Sequence, residues 1–171
     1  MDSSILRCKW TKGRMMKVCV TGGTRGLGKT IAAFFRIKNY DVKIFDRSHN
    51  VKTIIDESIG CDIFVNNSYG DGMQLELLDT LHNKVGKMIV CGSIAADNAD
   101  PRMPEYSDNK KKLQEKFYFL TQEKNKKIAD MLLLKLTSSS YSNNKLIRDS
   151  IDFWLDHPEV IEFRFDIRDK E

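Results

Sequence analysis

The sequence predicts an α/β fold, a doubly wound parallel sheet of about six strands. Three observations point to it. Short apolar runs alternate with amphipathic stretches through the whole chain. Those runs are too continuously apolar for a sheet with one wet face, so both faces must be covered. Only three prolines occur, and all fall in predicted loops. With 171 residues, 41% of them hydrophobic, the chain can bury a core as one globular domain. That domain is expected at 15–171, after a loose N-terminal extension at 1–14.

Val18 to Val20 reads as the first strand, and Lys29 to Ile37 as a helix with Ile31, Phe34 and Phe35 on one face. Asp41 to Phe45 is a strand, and Val51 to Ile59 a short helix carrying Ile54, Ile55 and Ile59. Asp62 to Val65 is a strand and Met73 to Leu81 a helix. Lys87 to Cys91 is the next strand. Ser107 to about Gln122 follows as a helix with Leu113, Phe117 and Leu120 at i, i+4 and i+7. Met131 to Leu136 is a strand, Lys145 to Leu155 a helix and Val160 to Ile167 a last strand.

Four of the chain's ten glycines crowd into seven residues, Gly22, Gly23, Gly26 and Gly28, between the first strand and the first helix. Missing side chains there allow a tight turn and let a pyrophosphate approach backbone N–H groups at a helix N-terminus. The second strand, DVKIF, ends beside Asp46, 18 residues beyond Gly28. An acidic residue at that distance can accept hydrogen bonds from both adenosine ribose hydroxyls. Together these features suit a dinucleotide in a Rossmann-like fold.

The spacing TGxxxGxG, Thr21 to Gly28, resembles the short-chain dehydrogenase/reductase (SDR) family, and the resemblance continues in order. "DIFVNNS", Asp62 to Ser68, is similar to the family's strand and NNAG-type loop, with Ser68 and Tyr69 in place of Ala-Gly. "GKMIVCGSIAA", Gly86 to Ala96, is similar to the strand that delivers the catalytic serine, here Ser93. Thirteen residues later "YSDNK", Tyr106 to Lys110, matches YxxxK. A second match, "YSNNK" from Tyr141 to Lys145, follows a serine-rich loop and has Ile128 thirteen residues upstream, so it reads as a decoy. The resemblance covers roughly 16–140.

It implies a small-molecule alcohol or carbonyl substrate and NAD or NADP as cofactor. Tyrosine is a poor base at its ordinary pKa of about 10; a lysine at i+4 shares its helix face, and the positive charge favours the phenolate. Tyr106 would then be the general acid/base and Ser93 a hydrogen-bond donor to the substrate oxygen. Lys110 would, as the family implies, also hold the nicotinamide ribose. The cofactor would lie against Thr21, Gly22, Thr24, Arg25, Gly26, Leu27 and Gly28, against Asp46 and Arg47, and against Asn66, Asn67 and Ser68. Asp46 favours NAD by repelling a 2′-phosphate, while Arg25 and Arg47 stand where NADP-using members often place basic residues. A non-catalytic NAD(P)-binding protein with a remnant site is the alternative.

The chain departs from the family by being short. Only 15 residues separate Asp46 from Asp62, so the outer third strand is predicted to be missing. A single short helix should cross there, on the sheet face opposite the first helix. The family's catalytic asparagine has no equivalent: Asn83, the one asparagine between Asn67 and Ser93, sits at a helix end and is given no role. "TSSSYSNN" stands where a substrate lid belongs. Phe117, Tyr118, Phe119 and Leu120 are consecutive and cannot all face one core, which fits a homodimer or homotetramer through the helix after Tyr106.

Composition narrows the remaining classes. The net charge of +4 is modest, and the lysines at 110–112, 116, 124, 126 and 127 read as a solvated helix face, not a nucleic-acid patch. No apolar run is long enough to span a membrane or serve as a signal peptide. Cys8, Cys19, Cys61 and Cys91 form no CxxC and suit reduced, buried thiols in a cytoplasmic protein. His49, His82 and His157 show no ligand spacing, so no metal site is expected.

Overall fold

The computed structural model describes residues 14–68, 70, 72–123, 128–137 and 144–165. The predicted extension therefore lies outside the described residues except for Arg14, which pairs with Asp62. Tyr69, Tyr141 and most of the serine-rich loop also lie outside them.

The elements are β1 (Lys17–Thr21), α1 (Gly26–Ile37), β2 (Asp41–Phe45), α2 (Val51–Ser58), β3 (Ile63–Asn66) and α3 (Met73–Leu81). There follow β4 (Lys87–Ser93), a 3-10 turn at Ile94–Ala96, α4 (Pro104–Gln122), β5 (Asp130–Leu136), α5 (Asn144–Asp156) and β6 (Glu162–Phe165). The six strands form one parallel sheet in the order β2-β1-β3-β4-β5-β6. Among the described residues β2 is an edge strand, with no outer third strand beyond it. Its residues show the consequence: Val42 and Ile44 are only partly buried, whereas β3 is buried throughout.

Two apolar layers sandwich the sheet. On one face Ile31, Phe34 and Phe35 of α1 join Ile147, Ile151 and Trp154 of α5 over Val18, Val20, Ile63 and Val65. On the other, Ile54 of α2, Leu77, Leu78 and Leu81 of α3, and Leu113, Phe117 and Leu120 of α4 cover Cys19, Phe64, Met88 and Val90. α2 thus lies opposite α1, as the right-handed crossover requires once the chain reverses from β2 to β3.

Two helices begin three residues earlier than the periodicity predicts. α1 starts at Gly26 instead of Lys29, because its first turn is built from glycine residues that read as loop. α4 starts at Pro104, the first helical position where proline's missing N–H is harmless, so Tyr106 lies inside its first turn. β6 starts at Glu162, two residues later than predicted, and the rest of its predicted span beyond Phe165 lies outside the described residues. Ile59, predicted to bury with α2, caps that helix and is half exposed. Of the four consecutive apolar residues in α4, Phe117 and Leu120 are buried, and Tyr118 donates its hydroxyl to Glu162. Only Phe119 stands out, 58% exposed with the Lys116 amine 5.7 Å from its ring centre.

Candidate active site at the switch point of the sheet

In an open parallel sheet, ligands bind beyond the C-terminal strand ends where the strand order reverses. Here the chain leaves β1 outward to β2 and returns to β3 on the other side, so the crevice lies between β1 and β3. The glycine loop follows β1, Asp46 follows β2, Asn67 and Ser68 follow β3, and Ser93 ends β4. One edge of the sheet carries all of them.

The glycine loop divides its labour. Gly22 and Gly26 have φ of +63° and +56°, in the left-handed region that favours glycine. A side-chain carbon on Gly26 would meet nothing within 4 Å, so the space above it is open. Arg25, the residue before α1, leaves the helix N-terminus without a side-chain cap, and the first turn contains no acidic residue. The free N–H groups and the macrodipole of a 12-residue helix therefore face open space, which fits the phosphates of a dinucleotide. Thr24 and Arg25 are exposed beside it, whereas the Leu27 side chain belongs to the core, leaving only its backbone for a ligand.

Thr21 has a different task from the one the sequence suggests. It is fully buried; its hydroxyl accepts from the N–H groups of Asn67 (2.9 Å) and Ser68 (3.0 Å) and donates to the Val65 carbonyl (3.2 Å). It ties the loop after β3 to the end of β1 and has no hydrogen-bonding capacity left for a cofactor. Asn66 is likewise buried, its amide donating to the Gln74 carbonyl. Asn67 and Ser68 are half-buried at the rim.

Asp46 stands exposed after β2. Its Oδ1 accepts from the Ser48 hydroxyl (2.6 Å) and N–H (2.9 Å) and contacts His49 Nδ1 at 2.9 Å. These bonds, the Ser48 hydroxyl first, hold its carboxyl near a pKa of about 2. The carboxylate is thus ionised and oriented, with Oδ2 outside these bonds. Arg47 is exposed next to it.

Ser93 is buried at the end of β4, and its Oγ accepts from the Ala95 N–H at 3.2 Å. Tyr106 is half-buried in the first turn of α4, and the Lys110 amine lies 5.7 Å from its ring centre. That contact is the i, i+4 pairing expected on a helix. Lys110 departs from a solvated helix face: it is 7% exposed, and its Nζ donates to the Gln74 Oε1 (2.7 Å) and the Cys91 carbonyl (2.9 Å). Burial lowers its pKa to about 8; the neighbouring Cys91 thiol, pushed up to about 12 by its own burial, is neutral and contributes little. The other lysines of that helix do face solvent, Lys112 paired with Asp108 and Lys116 with Asp79. Asn83 is exposed, remote from this cluster in the turn after α3.

The residue that sequence reasoning missed is Gln74. It meets Lys110 from α3, and no motif marks it; only the proximity of α3 to the end of β4 singles it out. Among the described residues no group of His, Cys, Asp or Glu could hold a metal ion, and no helix is long and apolar enough to cross a membrane. Cys19, Cys61 and Cys91 are buried free thiols.

The fold is that of short-chain dehydrogenase/reductase structures, in a shortened form. An SDR-family oxidoreductase from Brucella ovis, solved in complex with a partially ordered NAD, superposes with a TM-score of 0.69 at 12% identity, covering 90% of this chain and 100% of that one. A metagenomic short-chain oxidoreductase in complex with NADP gives 0.65 at 15% identity over 87% and 95% of the two chains. An alcohol dehydrogenase from the archaeon Thermococcus sibiricus, complexed with 5-hydroxy-NADP, gives 0.65 at 14% identity over 92% and 100%. At these identities the likeness is one of fold. No family model and no curated protein matches the sequence.

Proposed function

We propose that this protein is an NAD(P)-dependent oxidoreductase that interconverts a small alcohol and a carbonyl compound. The observation that carries the reading is the Lys110 amine, beside the Tyr106 ring and bonded to the carbonyl of Cys91, two residues before Ser93. Gly22, Gly26, the backbone of Leu27 and Gly28, and Asp46 would hold the cofactor, with Thr24, Arg25, Arg47, Asn67 and Ser68 at its rim. When bound, the nicotinamide supplies hydride transfer. Tyr106 gives or takes the proton at the substrate oxygen, and Ser93 donates a hydrogen bond that orients it. Lys110 supplies the positive charge that favours negative charge on the phenol oxygen. Asp46, ionised and oriented, favours NAD over NADP.

A second reading, a dinucleotide-binding protein without turnover, draws support from Lys110: two of its three N–H groups are committed within the protein. Titration with NADH and NADPH, then turnover of a carbonyl panel, separates the two. The enzyme reading expects Tyr106→Phe to lose at least about 100-fold in kcat while binding the dinucleotide unchanged. Binding with no turnover in the wild-type chain favours the second reading; no binding by either nucleotide ends both. We also propose that a second copy covers Phe119 through α4.

A further inference from the structure

β3 stops pairing at Asn66, opposite Val90, while β4 runs on to Ser93. Beyond that level the carbonyls of Asn66 and Cys91 face a gap left by the shorter strand, in the protein interior. Unpaired buried carbonyls are costly, and Gln74, the second residue of α3, satisfies both. Its Nε2 donates to the Asn66 carbonyl at 2.7 Å and the Cys91 carbonyl at 2.9 Å. Asn66 returns the contact, donating from Nδ2 to the Gln74 carbonyl at 2.8 Å.

This arrangement dictates which way the amide faces. With both Nε2 hydrogens on carbonyls, a flipped Gln74 would set its oxygen against two acceptors. Oε1 must therefore point the other way, where Lys110 Nζ lies at 2.7 Å. The Cys91 carbonyl accepts a second ammonium hydrogen at 2.9 Å. A single N–H of Lys110 is left outside these two bonds.

We propose that Gln74 is a positioning residue for Lys110: its amide oxygen fixes the direction of the ammonium and holds it in the charged form, aiming the remaining N–H. That this serves catalysis rests on the oxidoreductase reading above. Among the described residues, the titratable groups facing the amine are the Cys91 thiol of β4 and Tyr106 of its own helix, while α3 presents Gln74 where a carboxylate could have stood. Neutral acceptors therefore keep this buried lysine protonated. A cation in such a place titrates close to neutral pH, where a loss of one acceptor is felt in function.

The test reads Lys110 directly. In the full chain, the Nζ resonance of Lys110, assigned with Lys110→Arg, is followed by NMR against pH in the wild type, Gln74→Met and Gln74→Glu. Gln74→Met is expected to weaken proton binding at Lys110 about tenfold, as for loss of a hydrogen bond to a charged group. Gln74→Glu sets an oxygen against the Asn66 and Cys91 carbonyls and so should destabilise the fold, but its negative charge is expected to strengthen proton binding at Lys110. The alkaline limb of kcat/KM should move the same way in each variant, which a merely structural glutamine would not cause. Unchanged Lys110 titration in either folded variant overturns the proposal. If both variants fail to fold, the wild type decides: a slowly exchanging Lys110 ammonium signal below neutral pH supports the fixed cation, and a freely exchanging one overturns it. A titration that follows Gln74 in a chain without turnover supports the Gln74–Lys110 coupling and refutes the oxidoreductase reading instead.

Discussion

A side-chain carbon placed on Gly28 would sit 2.2 Å from the carbonyl oxygen of Gly22. Helix α1 is thus pressed against the end of β1, and Asn67 Nδ2 closes the same gap at 2.6 Å from that position. Gly26, two residues earlier, has open space above it. The two glycines should fail differently. Gly28→Ala overpacks against backbone and is expected to cost about 3 kcal/mol, read as a lowered urea midpoint. Gly26→Ala meets no atom but must hold φ of +56°, costing about 1 kcal/mol. That variant should fold and lose dinucleotide affinity at least tenfold. Equal stability losses in both would mean that the loop's shape, not its packing, sets the requirement for glycine.

On the proposed function, Asp46 is the residue that should discriminate between cofactors. Its carboxyl is held near a pKa of about 2, with the Ser48 hydroxyl, the Ser48 N–H and His49 as causes in that order. It is therefore negative at every pH above about 3, so the preference for NADH over NADPH should weaken only below about pH 6, as the 2′-phosphate takes up its second proton. Asp46→Ala removes the repulsion and leaves Arg47 and Arg25 in place. The ratio of NADPH to NADH affinity, measured by cofactor fluorescence, is expected to rise at least tenfold in that variant. A wild type that already prefers NADPH would reverse the assignment of Asp46.

Much of this was legible in the sequence, for identifiable reasons. Met73–Leu81 and Asp41–Phe45 match their predicted bounds because apolar spacing and flanking turn residues agree there. The missing strand was legible as a distance, Asp46 to Asp62, too short for another strand and helix. The start of α1 was not, because glycine's low helix propensity masks a turn whose tight packing requires it. Thr21 and Gln74 were illegible for another reason. What a hydroxyl or amide bonds to depends on which strand ends first, and β3 stopping before β4 is a tertiary fact. Lys110 combines both cases: its spacing from Tyr106 is local, but its burial follows from α3 packing across it.

The segment joining Ser93 to Tyr106 is anchored by one carboxylate. Asp97 Oδ2 accepts from Lys135 Nζ at 2.5 Å and Arg164 Nη1 at 3.0 Å, and Oδ1 accepts from Gln114 at 2.9 Å. Lys135 is 3% exposed on β5, so its amine is paired inside the fold. Burial pushes the Asp97 carboxyl up, but the Gln114 bond and Lys135 outweigh it and hold it below the usual range. Such a group stabilises the fold above its unfolded pKa, and that stability is lost as pH falls through the lower folded value. Asp97→Asn leaves a buried cation against a neutral amide, at a cost of about 3 kcal/mol at pH 7. Urea melts at pH 7 and pH 3 should show the gap between wild type and variant shrinking in acid. A constant gap would mean that the pair contributes packing alone.

Lys110 has the same pH slope for the opposite reason, because burial disfavours its charged form. Its folded pKa of about 8 lies below the ordinary lysine value of 10.5, so between those pH values the unfolded chain holds a proton that the folded chain has released. Stability must then rise with pH across that window. Below pH 8 the buried ammonium costs the fold on the order of 3 kcal/mol, and this cost fades as pH approaches 10. Lys110→Met removes the charge and keeps the length, though it leaves Gln74 Oε1 without its donor, which costs about 1–3 kcal/mol. The two effects nearly offset at pH 7, so the variant should be about as stable as the wild type there, while losing turnover. By pH 10 the wild type should be the more stable by about 2 kcal/mol. Chemical denaturation of both proteins at pH 7, 8.5 and 10 measures the difference. A difference that does not change with pH would show that the amine is hydrated and ordinary, and that the polar cluster between α3 and α4 does not tune it.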